Sequence, residues 1–596
     1  VFDHHGTDST GVVCLITNDG LVDGPGFGRM REYLRSTANH IWVIHCTPEG
    51  IQPKVKDRIF GGVQQPVCIV LAARTHPSDD PAEVKFRSLP RGPRKNKLDD
   101  LAGIRLGGDG WLDCPDGPTD PLRPRAADRW ATFPRLDELA VWDASGVMPG
   151  RTWVIAPDRQ SLTERWNTLI AAAKSVKTAT SDKSRAERAA HRDELFHPHL
   201  RPDGSPGDRH PDKAEKKGLP GHPHGQKIAD TSGECPAPVR YSFRSFDRQW
   251  IIPDNRLINR PNPKLWLAMS DQQVHLTALS KRPPKSGQPA LTATALIPDI
   301  DHNSGRAGRV TPLWLDGGAT IPNIRPGLVE YLSTRLGVDV DPVDVFAYVA
   351  GLTATPAYTR LFEADLASKP GLRVPLTADA DLFVGAVSLG RRVLWLHTFG
   401  ERFVDAEDGR PGGPPRMAED QRPKVPADGA IPFAPDGMPE TISYDPKSLT
   451  LHLGGGRVEN VTEAMWDYQC GVIGTGRVLM QWFASRGKNR GKPVIGDRRP
   501  PSPLERIHSD HWLAEYTSEL LNVLNVLGLL VALEPDQEAI LSSVLAADLI
   551  TLAELVEAGA LDLPDGYPED PEAAAAAAAD KPQLPLDGLD GRSPST

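Results

Sequence analysis

Three short, uninterrupted apolar runs follow one another near the start of the chain, at residues 11–17, 40–46 and 65–72. A run of this kind is typical of a strand that is buried on both faces of a parallel sheet. A helix is predicted at residues 27–36, between the first two runs. The order strand, helix, strand, loop, strand predicts part of an α/β layer, with too few strands to complete a doubly wound sheet.

The pattern becomes irregular after this layer. Residues 76–135 are rich in proline, glycine and charge, and residues 178–238 form a polar segment of low complexity, which is typical of a disordered insertion. Between these segments the periodicity predicts two strands and one helix, at 136–142, 152–156 and 161–176. Ser161 is the predicted N-cap of that helix, with Glu164 three residues further on.

The pattern from residue 239 to about 486 predicts a mixed α+β domain. Its predicted strands lie at 250–252, 310–315 and 392–397, with a hairpin at 442–460. Its predicted helices lie at 326–336, 341–353, 356–367 and 477–484. The second of these helices has a clear start, because Asp341 can cap it and Pro342 suits its first turn.

Two further helices are predicted near the C-terminus, at 505–533 and 537–558. The first contains the longest apolar run, 520–533, which two asparagines interrupt. This run is too short for a membrane span and favours a core helix. The chain from residue 564 carries seven alanines between acidic and proline-rich flanks and is predicted to be a disordered tail.

Composition and charge exclude two classes of protein. Hydrophobic residues make up 39% of the 596 residues, which is enough for real cores and excludes a wholly disordered chain. The net charge of −10 excludes a uniformly basic, histone-like nucleic-acid binder, although a local basic patch remains compatible with it. The 54 glycines and 57 prolines predict many loops and short strands.

The six cysteines are scattered, and no two form a CxxC pair, so a zinc ribbon is not expected. Such cysteines fit a reducing cytoplasm. The sequence also starts without a basic-then-apolar leader, so we expect a cytoplasmic protein without a membrane anchor.

The segment 239–266 carries the richest chemistry in the chain. It holds six basic residues and two acidic ones, interleaved with five aromatic residues. Guanidinium groups match phosphate oxygens and base edges, so the segment is a candidate DNA-binding site. The candidate residues are Arg240, Tyr241, Arg244, Phe246, Arg248, Trp250, Arg256 and Arg260. The alternative is a basic strand edge over an aromatic core, in which Asp247 and Asp254 pair some of the arginines internally.

Four weaker patterns leave other chemistries open. A second basic run lies at 486–499, and a glycine-rich loop at 471–476 precedes a helix without matching a nucleotide-binding motif. Glu83 and Lys85, near Asp79 and Asp80, resemble the metal-binding set of a nuclease. Six histidines between 191 and 224 lack the spacing of metal ligands. No metal site and no Ser-His-Asp site is expected.

Longer blocks of the sequence resemble Type ISP restriction-modification enzymes. Residues 11–72, with GVVCLITND, IWVI and IFGGVQQPVCIVLA, are similar to the end of an N6-adenine DNA methyltransferase domain. The blocks RYSFRSFDRQWI, VFAYVAGLTATPAYTRLFEADL and VTEAMWDYQCGVIGTGRVLMQWFASR, in this order, resemble the family's C-terminal specificity domain. The resemblance implies double-stranded DNA as partner and S-adenosyl-L-methionine (SAM) as cofactor of the full enzyme.

Two motifs that such a methyltransferase requires are missing from the sequence. There is no FxGxG-type SAM loop, and none of the Pro-Pro pairs is followed by an aromatic residue as in NPPY. The NPPY motif accepts hydrogen bonds from the adenine amino group and stacks on the flipped base. We therefore expect this chain alone not to methylate and to bind no SAM clearly. An upstream methyltransferase or helicase polypeptide is an expected partner, and a non-enzymatic assembly subunit is the alternative.

The predicted fold class is α/β, with a partial Rossmann-like methyltransferase sheet, followed by an α+β target-recognition domain and C-terminal helices. The predicted organisation divides the chain into six segments: 1–75 (end of the methyltransferase domain), 76–177 (connector), 178–238 (insertion), 239–500 (DNA target recognition), 501–563 (C-terminal helices) and 564–596 (tail).

Overall fold

A computed structural model describes most of the chain. The described residues are 10–47, 58–63, 65–77, 80–90, 93–124, 130–196, 218–222, 228–231, 233–279, 283–303, 308–368, 371–471, 476–488 and 502–579. They form two compact units. Unit 1 comprises Val1–Pro134, Lys281–Gln288 and Pro356–Arg373. Unit 2 comprises Arg135–Ser280, Pro289–Thr355 and Val374–Thr596.

Unit 1 combines a mixed sheet with short helices. Its elements are β1 (Gly11–Asn18), α1 (Gly20–Asp23), α2 (Gly28–Thr37), β2 (His40–His45), β3 (Val67–Arg74), β4 (Glu83–Ser88), α3 (Arg94–Gly103), β5 (Leu112–Asp113) and, later in the chain, α10 (Pro356–Leu361) and α11 (Glu363–Ser368). The three strands and the helix predicted before residue 75 are present, but the prediction of strands buried on both faces of a parallel sheet is wrong, because β1 is largely exposed and β3 is antiparallel to both of its neighbours. The strand β4 and the helix α3 were not predicted, because charged residues break their apolar pattern.

The sheet of unit 1 has the order β1-β3-β2-β4-β5. Strand β3 runs antiparallel to both of its neighbours, while β2 and β4 are parallel. Strand β1 lies at the edge of this sheet and pairs only with β3 among the described strands. It is nevertheless apolar, and Val12 and Ile16 are 62% and 59% exposed. An exposed apolar edge strand is a template for pairing with another strand.

Unit 2 contains the remaining elements. Up to residue 353 they are α4 (Leu136–Leu139), β6 (Ala144–Ser145), β7 (Ile155–Ala156), α5 (Arg159–Lys177), α6 (Asp182–Phe196), β8 (Val239–Arg244), β9 (Asp247–Ile251), α7 (Pro263–Leu267), β10 (His275–Leu279), β11 (Leu291–Thr294), β12 (Ile297–Pro298), β13 (Gly308–Pro312), α8 (Pro326–Leu336) and α9 (Pro342–Thr353). After residue 374 they are β14 (Leu376–Thr377), α12 (Ala380–His397), β15 (Ile442–Asp445), β16 (Thr450–Leu453), β17 (Gly456–Val458), α13 (Glu463–Asp467), α14 (Val478–Ala484), α15 (Ala514–Ala546), β18 (Leu549–Ile550), α16 (Leu552–Glu557) and α17 (Pro571–Ala579).

Four small sheets organise the described part of unit 2, with the orders β11-β10-β13-β6, β12-β8-β9-β7, β14-β18 and β15-β16-β17. One hydrophobic core lies around Trp153, Trp166 and Ile251. A second core lies around Trp482, Trp512 and the buried face of α15. The hairpin β8–β9 connects them, since Tyr241 belongs to the first core and Phe246 to the second. The segment that the sequence singled out is therefore central to unit 2.

Several predicted elements differ in the structure. The predicted strand at 392–397 is the last part of α12, whose buried side chains recur at helical spacing from Phe383 to Leu396. The predicted strand at 136–142 begins with the helix α4. The N-cap of α5 is Asp158, not Ser161, because the Asp158 carboxylate accepts the Ser161 N–H at 2.7 Å.

The two predicted C-terminal helices are largely one. Helix α15 runs through Pro535, although a proline removes one backbone hydrogen bond. Beyond it, Gln537 donates to the carbonyl oxygens of Gly351 and Ala354 and so holds the continuation in place. Helix α15 is the one described helix long and apolar enough to cross a membrane, a weak indication because half of its most apolar window is buried.

Two predicted boundaries also shift. The recognition domain, predicted to begin at 239, is part of a compact unit that begins at Arg135, since β6 and β7 extend its sheets. The predicted disordered tail is ordered as far as Ala579. Asp570 pairs with Lys264 at 2.5 Å, and the Tyr567 hydroxyl donates to the Pro322 carbonyl oxygen at 2.6 Å. Residues 580–596 lie outside the described residues, as do residues 197–217 of the predicted insertion.

Candidate nucleic-acid interface

Arg256 forms a buried ion pair with a carboxylate two residues away. Its Nε atom lies 2.9 Å from Oδ1 of Asp254, and its Nη2 atom lies 2.5 Å from Oδ2. Arg256 is 5% exposed, and its backbone N–H donates to the same carboxylate. This bidentate geometry fixes the turn after β9, and it is the geometry with which an arginine would hold a phosphate.

Arg248 and Arg240 converge on one glutamate of α15. Arg248 donates to both Glu519 oxygens at 2.9–3.0 Å and to Glu401 at 2.8 Å. Arg240 donates to Glu519 at 2.7 Å. Burial opposes the ionisation of Glu519, but the two guanidinium groups outweigh it and lower the pKa of this carboxyl group. The cluster ties the hairpin β8–β9 to α15, and Arg248 is only 9% exposed.

Tyr241 and Arg244 share the buried carboxylate of Asp299. The Tyr241 hydroxyl donates to Oδ2 at 2.7 Å, and Arg244 donates to Oδ1 at 3.2 Å. Burial raises the pKa of Asp299 to about 6, while Arg244 and the Tyr241 hydrogen bond oppose this rise. Both side chains thus stabilise the end of β12 against β8.

The last three candidate residues lie in different surroundings. Phe246 occupies the hairpin turn with a positive φ of 63° and packs its buried ring edge-to-face on His397 and Tyr468. Trp250 has the guanidinium carbons of Arg159 and Arg240 at 3.9 and 4.9 Å from its ring. Arg260 is exposed, and its backbone pairs with Met148.

This geometry corrects the interpretation of the arginines as free DNA contacts. Arg248 and Arg256, the two best candidates from the sequence, have their guanidinium groups occupied by carboxylates in a buried setting. Removing the carboxylate from such a buried charge is costly, so neither arginine is available to a phosphate in this conformation. The structure favours internal pairing of these arginines, with Arg260 as the exposed exception. A DNA contact by Arg260 stays a prediction.

A further buried ion pair uses the first residue of the second basic run. Arg486 donates to Asp247 at 2.8 Å and to the Trp482 carbonyl oxygen at 2.9 Å, and both ionic side chains are at most 2% exposed. Arg486 is thus part of the framework of the hairpin rather than a solvated loop residue. Residues 489–500, which carry the rest of that run, lie outside the described residues, as do residues 472–475 of the glycine-rich loop.

A buried polar network that the sequence did not indicate lies next to the hairpin. His302 Nδ1 lies 2.9 Å from the Thr277 hydroxyl oxygen, and the Thr292 hydroxyl donates to Asn303 at 2.7 Å. His275 and His397 are buried nearby. Burial lowers the pKa of His275 to about 4, and it lowers the pKa values of His302 and His397 to about 3. All three imidazoles are therefore neutral at pH 7 and act as structural groups.

The alternative chemistries receive no support from the described residues. Lys85 on β4 is engaged by Asp113 at 2.6 Å and by Glu83 at 2.9 Å, while Asp79 lies outside the described residues. Only His191 and His222 of the histidine-rich segment are described. Within the described part of the chain, no three His, Cys, Asp or Glu side chains are grouped to hold a metal ion.

Comparisons with solved structures show what the fold is similar to. The DrdV–DNA complex, determined by cryo-electron microscopy, matches with a TM-score of 0.50 at 14% identity, over 90% of this chain and 50% of that chain. A nuclease-deletion mutant of the Type ISP restriction-modification enzyme LlaGI, in complex with a DNA substrate mimic, matches with a TM-score of 0.49 at 16% identity, over 91% and 46% of the two chains. The present chain thus spans about half the length of these proteins.

Comparisons of the sequence give the family. No curated protein matches the chain. The family model described as the Type ISP C-terminal specificity domain matches residues 138–522, well over half of the chain. The match begins close to the start of unit 2 and includes the β8–β9 hairpin, the first core, most of the second core and the first nine residues of α15. The resemblance seen in the sequence is confirmed, and the chain belongs to the Type ISP C-terminal specificity domain family.

Proposed function

We propose that this chain recognises DNA sequence as the specificity part of a Type ISP restriction-modification enzyme. The observation that carries this proposal is the match to the specificity domain over residues 138–522. The DNA complex of DrdV, which has a similar fold, adds support for double-stranded DNA as the partner. The charge of −10 for the whole chain does not oppose it, because affinity depends on the charge at the contact face.

The buried arginine pairs have an indirect role in this proposal. They hold the hairpin β8–β9 between the two cores of unit 2, with α14 and α15 attached through Arg486 and Glu519. Base readout requires side chains that are held at fixed positions relative to the groove edges. The pairs supply that rigidity, while contacts to phosphate and bases come from exposed side chains such as Arg260.

Binding to a random duplex library tests this function directly. The purified chain is incubated with the library at two salt concentrations, and the bound sequences are read out. We expect enrichment of one site, and we expect binding that weakens with salt, because neutralised phosphates release counterions. Complete absence of binding at the lower salt concentration would contradict the proposal and favour an assembly subunit that does not touch DNA.

We propose further that the sheet of unit 1 is the end of a Rossmann-like adenine methyltransferase domain. Two observations support this: β3 runs antiparallel between β1 and β2, and the apolar strand β1 has an open edge. In this proposal another strand of the methyltransferase, from residues outside this chain, pairs with β1. A non-enzymatic subunit that docks on a methyltransferase through the same edge is the alternative.

For SAM, the cofactor that the resemblance implies, the residues after β1 offer a poor site. Carboxylates bind ribose hydroxyls in dinucleotide-binding folds, and the two carboxylates after β1 are already neutralised by an arginine. Asp19 and Asp23 are the carboxylates in question, and Arg123 pairs with them at 2.8 and 3.3 Å. His45 also lies 3.6 Å from Asp19. We therefore propose that SAM is bound elsewhere in the full enzyme.

The chain alone is accordingly expected not to methylate DNA. Incubation with SAM labelled in its methyl group and with adenine-containing duplexes should give no incorporation above a protein-free control, since the residues that would hold the flipped adenine are missing. A duplex pool enriched by the chain is the most demanding substrate for this assay. Incorporation that persists with the purified chain would contradict the proposal.

A further inference from the structure

Three residues, spaced three apart, interrupt the apolar surface of helix α15. They are Asn522, Asn525 and Gly528, and this spacing places them along one stripe of the helix. An asparagine in a buried stretch of helix is costly unless its amide is hydrogen-bonded. Asn525 is 1% exposed and donates to the Leu521 carbonyl oxygen at 2.7 Å, but its Oδ1 atom points to another segment of the chain.

That segment is residues 415–424, which we name the docked loop. Asn525 Oδ1 accepts the Met417 N–H at 2.8 Å. Gly528 is where the Met417 side chain rests, because a Cβ atom at this position would overlap the methionine sulfur. Asn522 Oδ1 accepts a hydrogen bond from Arg416 Nη1 at 2.8 Å. All three interruptions of α15 thus serve to seat the docked loop.

The other end of the docked loop is held as well. Asn460 Nδ2 donates to the Arg422 carbonyl oxygen at 3.0 Å. The backbones of Lys424 and Glu459 exchange two hydrogen bonds, at 3.2 and 2.8 Å. A loop fixed at both ends presents its side chains in a defined geometry, which is what a binding site on a loop requires.

The docked loop presents two guanidinium groups that have no carboxylate partner among the described residues. Arg416 is exposed and donates to Asn522 and to the Pro415 carbonyl oxygen at 3.2 Å. Arg422 donates Nε and Nη2 to the Met417 carbonyl oxygen at 3.2 and 3.1 Å. The acidic residues of the loop, Glu419 and Asp420, are exposed and form no ion pair with either arginine in the described structure.

Both guanidinium groups belong to one short stretch of the loop, because Arg422 donates to the carbonyl oxygen of Met417, the residue next to Arg416. Burial and the charge of Arg422 both lower the pKa of Arg416, and no acidic group offsets them. By contrast, Arg248, Arg256 and Arg486 each have a carboxylate within 3 Å. A pair of like charges that the fold holds together without a counter-charge is stabilised by a bound anion.

We propose that Arg416 and Arg422 bind a phosphate group of the DNA backbone. Arginine forks match phosphate oxygens, and the half-satisfied guanidinium groups retain N–H donors for them. Such a contact would position the duplex without reading its sequence. The inference rests on the proposed DNA recognition and adds a contact surface that lies far along the chain from the segment 239–266.

The test compares the wild-type chain with an Arg416→Ala/Arg422→Ala double variant in duplex binding at several salt concentrations. We expect an affinity lower by about tenfold for every duplex sequence and a salt slope reduced by about one. Arg335→Ala is the matched control, because Arg335 is exposed but pairs with Glu554 at 3.6 Å. It should bind like the wild type. Unchanged affinity and slope in the double variant would overturn the inference.

Two further measurements separate a lost contact from a lost fold or a lost function. Arg416→Lys/Arg422→Lys keeps the charges and should keep most of the salt slope, whereas a disturbed loop would lose it in both variants. If the wild type binds no duplex at all, the proposed function fails, and modification by phenylglyoxal decides on the site itself. Protection of both arginines by inorganic phosphate would uphold an anion site, and unchanged modification rates would overturn it.

Discussion

Replacing Asp247 by alanine is expected to lower the free energy of unfolding by about 3–5 kcal/mol, because it leaves the charge of Arg486 buried without its carboxylate. Asp247 and Arg486 are 1% exposed each. Asp247 also accepts a hydrogen bond from Gln249 at 2.8 Å, so the loss is not confined to one contact. The hairpin β8–β9 and the segment after helix α14 would lose the ion pair between them. The measurement is chemical denaturation of the full chain, followed by tryptophan fluorescence.

A double variant and an exposed pair sharpen this prediction. Asp247→Leu/Arg486→Met removes both charges and should cost less than either single substitution, since no unpaired charge remains. Asp428→Ala breaks an ion pair with Arg457 whose carboxylate is 79% exposed, and it should change stability by less than about 1 kcal/mol. A loss for Asp247→Ala as small as that for Asp428→Ala would show that the pair is not part of the framework.

Acidification from pH 7 to pH 5 is expected to destabilise unit 2 strongly, because of its three buried histidines. Their pKa values are about 4 for His275 and about 3 for His302 and His397, against an ordinary value of 6.5. As the pH falls below 6.5, these histidines become protonated in the unfolded chain but stay neutral in the folded chain. The neutral histidines therefore contribute their full stability above pH 6.5. This contribution decreases as the pH falls towards their folded pKa values, by about 2 kcal/mol for each histidine at pH 5.

Asp299 works in the opposite direction. Its pKa is about 6 in the folded chain and 3.8 ordinarily, so its protonation favours the folded state as the pH falls towards 5. The gain is on the order of 1 kcal/mol, which is less than the loss from one histidine. Arg402 and Arg244 are cations, and they lower the pKa values of His275 and His302 further.

The pH prediction is checked by denaturation at several pH values. His397→Gln keeps an acceptor for the Ala293 N–H but does not titrate, and it should reduce the dependence on pH by about one proton. His511→Gln is the control, because His511 is partly exposed next to Asp510. Stability that does not change between pH 7 and 5, or a full dependence in His397→Gln, would contradict the prediction.

The sequence predicted those elements whose local signals agree with their final environment. The helix α9 begins at Pro342 with Asp341 as its cap, as predicted, because cap, proline and apolar periodicity all lie within a few residues. The strands β1 to β3 were predicted from their continuous apolar runs, although β1 lies exposed at the edge of its sheet instead of being buried. The prediction of a strand at 392–397, the end of α12, was wrong. A short apolar run that is buried on all sides has no periodicity to distinguish a strand from a helix.

The predicted DNA-binding segment 239–266 stays a prediction, but the structure pairs most of its arginines internally. The sequence identified the hairpin region, yet most partners of its arginines come from far along the chain. Glu519 lies 279 positions from Arg240, and Arg486 lies 239 positions from Asp247. Arg256 differs because its partner, Asp254, lies only two residues away. Internal pairing by Asp254 was part of the stated alternative to DNA contact. The partner of a charged residue is a property of the fold, so charge patterns alone do not distinguish a binding arginine from a structural one.

The asparagines of α15 illustrate the reverse case. In the sequence they served only to argue against a membrane span. In the structure Asn525 is buried and holds the backbone of the docked loop, and Asn522 orients Arg416. A buried polar residue in an apolar helix needs a hydrogen-bond partner. Here the partner is the docked loop, which carries the proposed phosphate-binding arginines. The two arginines of this loop form no basic cluster in the sequence, because Glu419 and Asp420 lie between them.

Sequence-specific recognition of DNA is the central claim, and the affinity ratio between two duplexes tests it most directly. The chain is titrated against the duplex enriched from the random library and against a scrambled duplex of the same composition, by fluorescence anisotropy at two salt concentrations. We predict that the enriched duplex binds at least about a thousandfold more tightly at physiological salt, and that the ratio persists while both affinities fall with salt. Equal affinities for the two duplexes at both salt concentrations would contradict the account.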